Sequence, residues 1–246
     1  MVRPSAEILP PNEAARLQAL HQHDMLHSLR EDVFDELVIL SAHLFGLPIS
    51  YIALVDANYL HYKASYGFWA PPPQPRQELL CAQVVRRNQM VLYHDLTSVS
   101  PTPLEAQAVK NALTHQVQFY VGAPLRMASQ HAIGTLCLAG QQPRVFSAQE
   151  QQTLNYLARV VSQLLVLRHQ CCGTAGQGEN RWQAVRKEVC DEVHGLRALV
   201  RYLLTRHCAT VSVPEEVLHL IERRLLDLQN TLQEYTQPEM RQSSPT

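Results

Sequence analysis

The stretch from Val117 to Leu138, Val-Gln-Phe-Tyr-Val-Gly-Ala-Pro-Leu-Arg-Met-Ala-Ser-Gln-His-Ala-Ile-Gly-Thr-Leu-Cys-Leu, reads as two β-strands joined by a short polar turn. Val117, Phe119 and Val121 alternate with Gln118 and Tyr120, the period of a strand with one buried face. In the second strand Ile133, Thr135 and Cys137 alternate with Leu136 and Leu138, so it is apolar on both faces. Such a strand belongs inside a sheet that is covered on both sides.

Working outward from this hairpin, the chain supplies the layers that cover it. Residues 1–11, with Pro4, Pro10 and Pro11, read as a loose lead-in. A helix is expected from Asn12 to about Leu26, and Ser28-x-x-Glu31 is a capping box that opens the next. Phe34, Leu37, Val38, Ser41, Leu44 and Phe45 form one face of that second helix, which Gly46 and Pro48 end. Ile49 to Val55 and Leu60 to Tyr66 are strands about the turn Asp56-Ala-Asn58. Pro71, Pro72, Pro73 and Pro75 force an extended loop. A short helix from Glu78 to Arg87, a strand from Val91 to Tyr93 and a helix near Leu104–Leu113 come next. After the hairpin a helix runs from Ser147 to about Gln170, with Leu154, Leu157, Val161 and Leu164 at heptad spacing. This order is α+β, an antiparallel sheet packed with helices.

Phe119-Tyr-x-Gly-Ala-Pro-Leu125, a hairpin, and then Ile133-Gly-Thr-Leu-Cys-Leu138 resemble the GAF domain, a small-molecule sensing module of signalling proteins. The resemblance is closest to the versions that precede bacterial sensor kinases. Further matching pieces follow in family order. They are Met25-Leu26, Phe34-Asp35, Leu44-Phe-Gly-Leu-Pro-Ile49, Leu54-Val-Asp56, Lys63-Ala-Ser-Tyr-Gly67 and Arg76-x-x-x-x-Cys81-Ala82. Residues 12–170 thus form a GAF-like sensor domain. The resemblance implies a ligand pocket between the sheet and the loop-helix layer, and its matching residues here are Tyr62, Arg76, Phe119 and Tyr120. The ligand is an unidentified small molecule, and the signature associated with cyclic nucleotides is absent. No chromophore-cysteine motif occurs, and Ser98-Val-Ser-Pro-Thr-Pro-Leu104 replaces the family's Arg-Phe-x-x-Asn-Pro segment.

Residues 171–180, Cys-Cys-Gly-Thr-Ala-Gly-Gln-Gly-Glu-Asn, read as a linker. Beyond it, Trp182, Val185, Val189, Val193, Leu196, Val200 and Leu203 make one amphipathic stripe. A second follows the capping box Ser212-x-x-Glu215, with Ile221, Leu225, Leu228, Leu232 and Tyr235. Residues 181–236 are therefore a helical hairpin, with a disordered tail at 237–246. Its apolar faces exceed what two helices cover alone, so a homodimer through the hairpin is expected. Glu192-Val-His-Gly-Leu-Arg197 resembles the phosphoacceptor box of histidine-kinase dimerisation hairpins, which makes His194 a candidate phosphoacceptor. Gly195 stands where that box carries an acid and Leu199 where it carries a proline. No Gly-rich phosphate loop occurs, so a complete kinase is not expected. A histidine kinase or a response regulator is the partner this implies.

Cys81 and Cys137 fall at family positions and read as packing residues. They also keep open a redox enzyme, because some GAF folds reduce free methionine sulfoxide through pocket cysteines. A ligand-free dimerisation module is the third alternative. Vicinal Cys171-Cys172 with His169, and His23 with His27, are too few for a metal site. The net charge of −1 gives no electrostatic ground for nucleic-acid or anionic-membrane binding. No apolar run approaches the roughly 20 residues that span a bilayer. Six cysteines without a C-x-x-C pair fit a reducing compartment, and the expected location is the cytoplasm.

Overall fold

A computed structural model of the chain describes residues 9–10, 12–21, 31–127, 130–172, 177–206 and 213–236. His23, His27, Ser28, Cys208, Ser212 and the tail at 237–246 lie outside the described residues, as does most of the lead-in. The elements are α1 (Glu13–His21), α2 (Asp32–Phe45), β1 (Ile49–Val55), β2 (Tyr59–Tyr66), β3 (Gln74–Pro75), a 3-10 turn (Arg76–Glu78), α3 (Cys81–Arg87), β4 (Val91–Tyr93), α4 (Ala106–Thr114), β5 (Phe119–Arg126), β6 (Ala132–Gly140), α5 (Ala148–Cys172), α6 (Gln177–Arg206) and α7 (Glu215–Thr236).

The strands form one antiparallel sheet in the order β3-β2-β1-β6-β5-β4. The deciding hairpin supplies two of its central strands. Both faces of β6 are buried, as the sequence implies, but so are both faces of β5. Phe119, Val121, Ala123 and Leu125 face one core, and Tyr120 faces another. The expectation of one solvated face on β5 fails because a tyrosine can be buried wherever its hydroxyl finds a partner. On the first face lie α2 and α5, and on the second lie α3 and α4 with the loop between β2 and β3.

The C-terminal helices pack back on this body. α6 lies along α2 and α5, and α7 lies along α5. Trp182, Val185, Val189, Val193, Leu196 and Val200 of α6 are buried, as are Ile221, Leu225, Leu228 and Leu232 of α7. The sequence reads these stripes correctly as apolar faces. In this chain α2 and α5 pack against them. Of the stretch read as a linker, Cys171 and Cys172 end α5 and residues 177–180 begin α6.

Polar contacts set the register of the four helices. Glu222 on α7 accepts from Thr153 Oγ1 at 2.7 Å and from Gln149 Nε2 at 2.8 Å, both on α5. Gln229 Nε2 donates to the Tyr156 carbonyl at 3.0 Å. Glu31 is the N-cap of α2 and makes no side-chain cap there, while Ser28, its partner in the capping box read from sequence, lies outside the described residues. The Glu31 carboxylate instead accepts from Trp182 Nε1 at 3.1 Å and pairs with Arg168 at 2.7 Å. A buried indole N–H and a nearby guanidinium outcompete a cap that water can supply.

Candidate functional site

On the α3–α4 side of the sheet is a cavity of about 460 Å³. Its position follows from strand register. Tyr51 of β1 is opposite Cys137 of β6, and Cys137 is opposite Gly122 of β5, so the three form one row across the sheet. Side chains in one such row share a face, and this row faces the cavity layer.

The walls are aromatic. Tyr51, Tyr62 and Phe68 meet edge to face, with centroid separations of 5.5, 5.6 and 5.5 Å for the three pairs. Trp69 stands 89% exposed at the rim. Asn111 of α4 and His115 at its C-cap bring polar atoms, and Asn111 Nδ2 donates to the Glu78 carbonyl at 2.9 Å, fastening α4 to the 3-10 turn. Burial disfavours the phenolate forms of Tyr51, Tyr62 and Tyr120 and raises their pKa above the ordinary phenol range, so all three hydroxyls stay protonated near neutral pH.

Against this wall lies a pair of thiols. Cys81 opens α3, Cys137 sits in β6, and both are buried with their sulfurs 3.6 Å apart. The Tyr120 hydroxyl is 3.2 Å from Cys137 Sγ and 3.6 Å from Cys81 Sγ. The Tyr51 hydroxyl is 3.5 Å from Cys81 Sγ, and the Cys137 thiol donates to Thr135 Oγ1 at 3.1 Å. Gly122 makes room for this arrangement. A Cβ there would stand 2.6 Å from the Tyr120 hydroxyl and 2.8 Å from Val84 Cγ2. Burial opposes ionisation of Cys81, but hydrogen bonds from Cys137, Thr135, Tyr51 and Tyr120 outweigh it and hold the thiol below its ordinary range. Cys137 moves the other way, pushed up by burial and by its neighbour Cys81.

Of the residues singled out in sequence, Tyr62 and Tyr120 line the cavity. Phe119 is on the opposite face of the sheet, its ring 5.7 Å from Phe146. Arg76 is buried in an ion pair with Glu13 at 2.5 Å and donates to the Asp56 carbonyl at 3.2 Å. His194 lies on α6, across α2 and the sheet from the cavity, with Nε2 3.3 Å from the Glu36 carboxylate. Arg197 shares that carboxylate. Sequence reasoning missed Tyr51, Phe68 and Trp69 as cavity residues. Tyr51 alone had a signal, because it is the one aromatic residue in β1.

Among the described residues, no group of three or more His, Cys, Asp or Glu is placed to hold a metal. No described helix is long and apolar enough to cross a membrane.

A sequence model of the GAF domain matches residues 28–166. A cyclic di-GMP phosphodiesterase of Pseudomonas aeruginosa is 26% identical over 156 residues, which is 62% of this chain and 25% of that protein. The chain thus spans a quarter of the length of the curated relative it matches. Among solved structures, the GAF domain of an Acinetobacter phosphoenolpyruvate-protein phosphotransferase aligns with a TM-score of 0.47 at 18% identity. That alignment covers 65% of this chain and 97% of the other. A free methionine-R-sulfoxide reductase of Neisseria meningitidis aligns with a TM-score of 0.45 at 17% identity, over 66% of this chain and 92% of the other.

Proposed function

The chain belongs to the GAF domain family, and from that premise we propose that it is the sensing part of a signalling protein, in which a small molecule held in the cavity alters the packing of the C-terminal helices. The observation that carries this reading is the cavity itself. Its volume of about 460 Å³ is within the roughly 300–1,000 Å³ of small-molecule sites, and its aromatic walls with a few polar groups are what such sites use. The ligand class it suits is a compact molecule with an apolar or aromatic body and one or two polar groups for Asn111 and His115. The exposed indole of Trp69 is placed to cover it.

The relay runs through β5. Tyr120 faces the cavity, while Phe119 and Val121 on the same strand face the core shared with α5. A ligand that shifts β5 therefore bears on α5, and α5 is tied to α7 through the Glu222 and Gln229 contacts.

Native mass spectrometry of the purified full chain tests the reading, with a thermal-shift screen of small aromatic metabolites beside it. A ligand at one hundred times its Kd stabilises by about 2.7 kcal/mol. Ala112→Phe, which fills the cavity from α4, is expected to abolish both the retained mass and the thermal shift. Lys110→Ala, on the exposed face of α4, is expected to change neither. A shift that survives in Ala112→Phe would place the ligand elsewhere and sink the cavity reading.

A further inference from the structure

Two thiols 3.6 Å apart, ringed by three hydroxyls, ask more of their surroundings than packing does. Cysteines that merely fill space behave as small hydrophobes and need no polar partners. Here Tyr51, Tyr120 and Thr135 all turn their hydroxyls to the sulfurs, and Gly122 is bare where a Cβ would displace one of them. Tyr51 and Tyr120 touch the sulfurs and also line the cavity, so the thiols lie directly behind the cavity wall.

We infer that Cys81 and Cys137 form a reversible dithiol–disulfide site, oxidised by a small peroxide that enters through the cavity. The chemistry balances with hydrogen peroxide as the oxidant. The Cys81 thiolate attacks one peroxide oxygen, the O–O bond breaks, and the departing hydroxide takes a proton to leave as water. Cys81 is then a sulfenic acid. Cys137 loses its proton and attacks Cys81 Sγ, the S–O bond breaks, and a second water leaves. Two thiols have given two electrons to one peroxide. A dithiol reductant returns them by thiol–disulfide exchange. The sulfur with the depressed pKa is the attacking one, in keeping with thiolate reactivity.

The two cysteines are not equally free to move. Cys137 sits in β6, between β1 and β5 and hydrogen-bonded to both. Cys81 opens a seven-residue helix that follows the Leu79–Leu80 connection. A disulfide is about 2.05 Å long, so the 3.6 Å gap closes by about 1.5 Å, and α3 is the element that moves. Leu79 and Leu80 line the cavity, and oxidation therefore draws in one of its walls. This consequence for a ligand rests on the cavity reading above; the disulfide itself does not.

The test uses the reduced full chain. It is treated with hydrogen peroxide while folded, alkylated after denaturation, and mapped by peptide mass spectrometry. The expected result is a Cys81–Cys137 cross-linked peptide two hydrogens lighter, lost again on treatment with dithiothreitol. It should form about tenfold or more faster in the folded chain than in the chain unfolded in urea, because the fold holds the sulfurs together. Both cysteines remaining alkylatable in the folded chain, or a cross-link that forms as fast when unfolded, would overturn the inference. Cys81→Ser is expected to leave Cys137 alkylatable. If it does not fold, Cys137→Ala serves as the converse variant, and the mapping of the unaltered chain decides alone. Because no ligand enters this experiment, its failure leaves the cavity reading standing, and failure of that reading leaves the disulfide.

Discussion

Trp182→Ala is expected to destabilise the chain by about 3–5 kcal/mol, the usual cost of removing a fully buried tryptophan. Trp182 is completely buried among the helices. Its indole N–H donates to Glu31 at 3.1 Å, and the Arg168 guanidinium stands 5.3 Å over its ring. Alanine removes the buried ring and both of these contacts and leaves Glu31 and Arg168 to each other. Urea unfolding followed by far-UV circular dichroism reads the loss, and Trp182→Phe should recover most of the packing without the hydrogen bond. The same experiment decides where the apolar face of α6 is spent. If it is covered within its own chain, the midpoint for the unaltered chain does not move over about a hundredfold range of protein concentration. A midpoint that rises with concentration would mean that residues 181–236 dimerise, as linkage requires. A cost below about 1 kcal/mol for Trp182→Ala would mean that α6 does not pack as described.

The contrast between α6 and β1 shows what a sequence can disclose. β1 runs from Ile49 to Val55, the limits its composition implies, because Pro48 blocks the helix before it and Asp56 opens the turn after it. These signals are local, and so is the property they specify. The stripe on α6 is equally clear, yet period alone says only that a face is covered. The cover is α2, whose acidic residues meet the basic ones of α6 across the seam. Arg197 pairs with Glu36, and Arg186 with Asp32 at 3.2 Å. Nothing in either segment by itself names the other. The site divides in the same way. Tyr62 and Tyr120, named from family position, line the cavity, but Phe119, named with them, could not join Tyr120 there, because successive side chains of a strand point to opposite faces. Phe119 and Tyr120, adjacent in the chain, therefore lie in different cores. Cys81 and Cys137 are each legible as buried. Their 3.6 Å approach across 56 residues of chain is visible only once α3 is laid on β6.

Glu13→Gln is expected to cost about 3–5 kcal/mol near pH 7, because it leaves buried charge without its partner. Glu13 joins two guanidiniums that are each 2% exposed. Arg16 Nε and Nη2 both donate to it at 2.7 Å, and Arg76 Nη1 donates at 2.5 Å. With glutamine in its place, one side-chain oxygen remains to accept but the negative charge is lost, and the two cations otherwise keep the backbone carbonyls of Val55 for Arg16 and Asp56 for Arg76. Burial on its own would raise the Glu13 carboxyl, but the hydrogen bonds from Arg16 and Arg76 prevail and hold it below the ordinary carboxylate range. A depressed carboxyl contributes stability that is complete above its unfolded value, about 4.3, and is lost as pH falls through the folded one. The unaltered chain should therefore lose stability below about pH 4.5 more steeply than Glu13→Gln, and the gap between the two should narrow as the pH is lowered. A gap that stays constant between pH 7 and pH 3 would show that Glu13 is not ionised against the two arginines. The consequence reaches the cavity, since Arg76 begins the 3-10 turn that leads into Glu78, Leu79 and Leu80 on its wall. Loss of Glu13 frees that wall from α1, so any ligand of the cavity should bind Glu13→Gln more weakly even at temperatures where the variant remains folded.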